Sequence, residues 1–154
     1  MTERYHYTGC GLDYVYLLNG YTIHETVHGK GVSVKDAKQL HERIALDIIS
    51  RPHPLRGQEV RFLRTMLRVS QQGLARVLGL QRGSVARWEA ELDKKIPGAA
   101  DSALRMFYAL KAGGHEIAIK VVELLQELDE IEHDLRGLRD MQLRNDGSWM
   151  RAAA

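Results

Sequence analysis

The sequence predicts an α+β chain: a small N-terminal module of β-hairpin and helix, then an all-α, five-helix-type domain with a long C-terminal helix. Three observations predict it. Two runs rich in β-branched and aromatic residues flank Asn19-Gly20, a strong two-residue hairpin signal. Apolar residues recur at helical spacing from Val60 onward. Between these regions Pro52 and Pro54 interrupt the chain, where a helix cannot continue.

Residues 1–50 form the expected α+β module. Val15-Tyr-Leu-Leu and Tyr21-Thr-Ile-His-Glu-Thr-Val read as hairpin strands, Gly29-Lys-Gly31 as a second turn and Val32-Ser-Val34 as a short third strand. Strands this short cannot make a core alone. A helix capped by Ser33 or Asp36 and running to about Ile49 supplies the missing cover, with Ala37, Leu40, Ile44 and Ile48 on one face. Residues 51–57, Arg-Pro-His-Pro-Leu-Arg-Gly, read as a basic linker.

Residues 58–112 carry four helices. Val60, Leu63 and Leu67 mark the first. Ser70 is placed as N-cap of the second, which carries Leu74 and Leu78, with Ala75 small enough for another helix to press against. Gly79 follows where a chain leaving a helix needs positive φ, and Leu80 is expected to plug the corner. Val85 and Trp88 give the third helix its apolar back. After the loop 91–97, the fourth runs from about Ala100 to Lys111, burying Leu104 and Phe107, until Gly113-Gly114 stops it. Residues 113–140 hold the final helix, where Ile117, Val121, Leu124, Leu128, Ile131, Leu135 and Leu138 alternate at gaps of four and three. That heptad seam suits either a dimerising coiled coil or packing on its own domain, and Leu125 widens it. Residues 141–154 are polar, without periodicity, and are expected to fray.

Charge is unevenly spread. Residues 55–111 hold eleven basic against five acidic residues, whereas residues 112–154 hold five against nine and residues 1–54 balance at six each. Positive charge on the segment with two short helices and a tight turn is what phosphate neutralisation requires. On the outward side of the second of those helices, Arg82 and Arg87 carry the forked guanidinium that meets guanine bidentately. Gln71, Gln72, Gln81 and Ser84 lie at helix N-termini, where free amides and the dipole favour phosphate. Arg68 and Arg76 are expected to be solvated and at most supplementary. A helix that buries valine and tryptophan while showing arginine to solvent is suited to a major groove.

At these residues the chain resembles a known family. Ser-Gln-x-x-Leu-Ala-x-x-Leu-Gly-Leu-x-x-x-x-Val-x-x-Trp-Glu, from Ser70 to Glu89, is similar to the helix-turn-helix of Xre-type, lambda-repressor-like transcriptional regulators. The resemblance implies a lambda-repressor-like DNA-binding domain, a dimer and, most often, repression. It implies base reading at Arg82, Gly83 and Arg87, phosphate contact at Gln71, and a structural ion pair between Arg64 and Glu89. Gly83 departs from the pattern, because a glycine reads no base edge; it allows close backbone approach or leaves the position unread.

The opening Tyr7-Thr-Gly-Cys-Gly-Leu-Asp-Tyr-Val-Tyr-Leu-Leu-Asn-Gly20 resembles the N-terminal module of MqsA-like antitoxins and regulators. This resemblance implies an alternative function: an antitoxin that neutralises a toxin protein through residues 1–50 and represses its own operon. Those proteins bind zinc through two Cys-x-x-Cys pairs, whereas this chain has only Cys10, near His6, His24 and His28, so no metal or other cofactor is expected. No phosphate loop or nucleophile–base arrangement has supporting context, so no enzyme is expected. A single cysteine, no apolar run approaching a membrane span and no signal peptide lead to the expectation of a cytoplasmic protein. The expected partners are double-stranded DNA and a second copy of the chain.

Overall fold

A computed structural model of the chain describes residues 3–113, 116, 123, 124, 141–143, 146 and 149–151. It is α+β: two small antiparallel strand pairs, then five helices. β1 (Tyr5–His6) pairs with β2 (Tyr16–Leu17), and β3 (Tyr21–Thr26) pairs with β4 (Gly29–Val34).

The expected hairpin about Asn19-Gly20 does not form. Gly20 does take the positive φ of a turn, at 77°. The strand before it, however, pairs backward with Tyr5–His6, extended by the Tyr7 N–H donating to the Val15 carbonyl at 2.9 Å. The turn therefore joins two separate strand pairs. The real hairpin loop is Val27-His28, since Thr26 faces Gly29 in register, and Gly29 (φ 114°) begins β4 instead of lying in a turn. The Lys35 N–H closes the open end on the Gly20 carbonyl at 2.8 Å.

Asp36, not Ser33, caps α1 (Ala37–Ser50), accepting from the Gln39 N–H at 3.2 Å. Ala45, Ile48 and Ile49 are its buried residues, and they face α2 (Gly57–Leu67). Ser70 caps α3 (Gln71–Leu78) by accepting from the Gly73 N–H at 2.9 Å. Gly79 ends that helix at φ 69°, and the Leu80 N–H returns to the Ala75 carbonyl at 2.8 Å. This closure leaves Leu80 exposed, so it does not plug the corner; Leu74, Ala75 and Val85 fill the space between helices without it.

α4 (Arg82–Ala90) packs across α2 and α3. α5 (Gly98–Tyr108) begins two residues earlier than its apolar spacing suggests, and Ala109–Gly113 continue it as a π-helical turn. Leu104 is fully buried as expected; Phe107 is only half-buried, and Arg105 next to Leu104 is buried instead. One continuous cluster of buried side chains takes in Leu12, Ile49 and Leu55 together with Leu63, Leu74, Val85 and Leu104.

Residues 51–57, read above as a linker, are held along their length. The buried Arg105 guanidinium donates through Nη1 to the carbonyls of Ile48 and Ile49 at 3.1 Å and of Arg51 at 2.6 Å, and through Nη2 to that of His53 at 2.5 Å. Its Nε pairs with Asp101, whose other oxygen accepts from the Leu55 N–H at 2.7 Å. The Leu55 carbonyl takes the Ile96 N–H at 3.1 Å.

The heptad seam from Ile117 to Leu138 lies outside the described residues, save for Leu124, which is helical and half-buried. In the tail, expected to be without structure, β5 (Met141–Leu143) pairs with β6 (Trp149–Arg151). No helix among the described residues is long and apolar enough to cross a membrane.

Candidate nucleic-acid interface

The position of α4 is fixed from behind. Val85 is fully buried and Trp88 nearly so, both inside the cluster formed with α2 and α3. Trp88 is therefore core and offers no stacking surface. At the C-terminal end of α4, Gly57 lies so close that an added Cβ would run into the Trp88 carbonyl. A glycine is needed there for α2 to start against α4.

Polar groups behind α4 are paired. Arg64 engages Glu89 bidentately along one edge of its guanidinium, Nε to Oε1 and Nη2 to Oε2 (3.0 Å for the latter). Arg64 Nη1 also donates to the Val69 carbonyl at 3.0 Å, tying down the turn that precedes α3. Burial by itself pushes the Glu89 carboxyl up, but hydrogen bonds from Arg64 and Gln71 and the nearby charges of Arg64 and Arg61 outweigh it and leave it below its ordinary value. The Glu89 hydrogen bond in turn raises Arg64, against the opposing effect of burial. Both groups are charged, and each cancels the other.

Of the residues expected to contact DNA, Gln81, Arg82, Gly83 and Arg87 are exposed along the front of α4, and Gln72 is exposed in the first turn of α3. Neither Arg82 nor Arg87 pairs with a carboxylate among the described residues. Ser84 is half-buried, its N–H donating to the Gln81 carbonyl at 3.0 Å. Gln71 is also half-buried: its amide nitrogen donates to Glu89 Oε2 at 2.9 Å. It joins the scaffold behind α4 and keeps its second N–H for another acceptor.

Among the described residues nothing packs against Gly83. A Cβ there would meet nothing within 4 Å, and its φ is not in the left-handed region. Alanine would be the better helix former at this position.

Two basic residues have clearer positions than their spacing suggested. Arg61, not singled out above, is exposed on α2 one turn before Arg64 and close enough to Glu89 to pull its carboxyl down. That i, i+3 relation to Arg64 was the available signal. Arg68 is exposed and ends α2 in the left-handed conformation at φ 56°. Residues 51–57 form a strap in which both arginines are engaged: Arg51 lies 4.0 Å from Asp47, and Arg56 donates to the Asp93 carbonyl at 2.5 Å. Among the described residues no group of three histidine, cysteine, aspartate or glutamate side chains could hold a metal ion.

No family model matches the chain, and neither a curated protein nor a solved structure matches it.

Proposed function

We propose that the protein is a sequence-specific regulator of transcription that binds double-stranded DNA through α4, acting as a dimeric repressor. One observation carries the proposal: two arginines without carboxylate partners among the described residues stand on the exposed front of a helix whose back is locked into the core. Arginine costs little to desolvate against guanine when its fork meets O6 and N7 together. Half of the lysines and arginines, eleven of 22, lie on the same segment against five acidic residues, from residue 55 to residue 111, and supply the sequence-independent part of the affinity. Gly83, where an added Cβ would meet no described residue, lets the helix backbone approach the groove edge where a side chain would hold it away.

A dimer places two such helices one turn of DNA apart and requires a pseudo-palindromic site. Occupancy of that site blocks polymerase. Selection of bound duplexes from random DNA tests both points. The expected result is a two-fold symmetric sequence with guanines in each half-site, and Arg87→Ala loses the preference at one of those positions. Enrichment of no sequence, or an Arg87→Ala protein that selects the parent's site with the parent's affinity, overturns the proposal.

A further inference from the structure

We propose that a cleft between β2, α1, the 51–55 strap and the first turn of α2 is a binding site for a small organic cation with a planar, apolar body. The cleft encloses about 440 Å³, within the roughly 300–1,000 Å³ of small-molecule sites. Its depth is apolar, walled by Val15, Ile44, Ile48 and Leu55. Tyr14 forms one side; its ring is the flat surface against which a planar group can stack.

The sign of the ligand follows from the charges at the mouth. Asp47 and Glu59 line the cleft, opposed by Arg51 and His53. Asp47 is already satisfied, lying 3.6 Å from Arg43 and 4.0 Å from Arg51. Arg51 is thereby used as well. Glu59 is different. It accepts from the Arg56 N–H at 3.2 Å and from the Tyr14 hydroxyl at 3.4 Å, both neutral donors, and forms no ion pair with any described cation. Burial pushes its carboxyl up in spite of those bonds and of the Arg56 charge, which acts from beyond ion-pair distance, so no close counter-charge is at hand among the described residues. An amidinium or ammonium group on the ligand supplies that charge, while its apolar body displaces water from the aliphatic wall.

The test is calorimetric titration of the full chain, without DNA, with benzamidine and with benzoate, two planar rings of similar size and opposite charge. Saturable benzamidine binding is expected, with benzoate at least tenfold weaker. Glu59→Gln keeps the side-chain oxygen that caps α2 but loses the charge, so it weakens benzamidine at least tenfold without changing the unfolding midpoint appreciably. Ile44→Trp fills the cleft and abolishes binding by a route independent of charge. The proposal is overturned if benzamidine shows no saturable binding, if benzoate binds equally well, or if benzamidine affinity survives both substitutions.

Discussion

Behind α4, Arg64 meets Glu89 with two parallel hydrogen bonds and Gln71 closes the second carboxylate oxygen; in front, Arg82 and Arg87 extend into solvent with no described carboxylate in reach. Arg105 repeats the first pattern more deeply, with Asp101 on one edge and four backbone carbonyls on the others. The difference separates what an arginine does for a fold from what it can do for a partner. A guanidinium whose donors are all spent inside the chain has paid its desolvation cost and has nothing left to offer. One with every donor free remains available to an external acceptor. Substitutions on the two faces should therefore act on different observables.

The largest effect belongs to Arg105→Ala. Only 3% of this residue is exposed, and its loss takes the counter-charge from Asp101 and a donor from the carbonyls of residues 48, 49, 51 and 53. Removing one partner of a buried, hydrogen-bonded pair costs about 3–5 kcal/mol. Urea unfolding should show a loss of that size; a loss below about 1 kcal/mol would mean that Leu55 packing and the strap's other hydrogen bonds hold it without Arg105. Lysine should not rescue, since a point charge cannot serve five acceptors in a plane.

Next comes the pair behind α4. Glu89 has a folded-state pKa below its unfolded value, so its contribution is complete above the ordinary carboxylate range and disappears as pH falls through the lower folded value. Glu89→Gln should cost about 2–3 kcal/mol at pH 7, the cost of leaving Arg64 without its anion. The variant should also lose part of the acid leg of the stability curve, with a smaller difference from the parent at low pH than at pH 7. Parallel pH profiles for the two proteins would show that Arg64 and Glu89 are not coupled.

The front of α4 should respond with the opposite sign. Gly83→Ala meets no steric obstacle and removes a helix-weakening glycine, so it should stabilise the fold by up to about 1 kcal/mol. The same methyl group should weaken binding to the selected DNA site about tenfold, if the backbone there comes close to the groove. A Gly83→Ala protein that is more stable and binds unchanged would show that this position is unread.

The helical half of the chain was legible because its signals are local. The Ser70 oxygen, the Gly79 turn and the Val85–Trp88 spacing each act within a few residues, and the cap, turn and buried face stand where they were expected. Arg105 was not legible: its acceptors lie more than fifty residues back, and the one local hint was Asp101 one turn earlier. Asn19-Gly20 misled for a related reason. A turn signal specifies the bend but not which strand pairs across it, and the two-residue Tyr5–His6 strand has no periodicity to reveal itself. The Glu59 cleft likewise joins side chains from four separate stretches, none unusual in isolation.

The smallest effect is expected at the β3–β4 hairpin, whose exposed face contrasts most with the helical core. Ile23 lies opposite Val32 but is 52% exposed, and Val27 at the loop is fully exposed. The hairpin meets the preceding strand pair through the Tyr5 and Tyr21 rings, 5.1 Å apart, and not through a buried layer. Ile23→Thr keeps the β-branch and trades an exposed ethyl group for a hydroxyl, so the unfolding free energy should change by less than about 0.5 kcal/mol. A loss well above about 1 kcal/mol would show that this face is covered in solution, because only burial gives an isoleucine side chain that much to lose. Dependence of that loss on protein concentration would identify the cover as a second copy of the chain. If it persisted at every concentration, it would place the hairpin against its own helices.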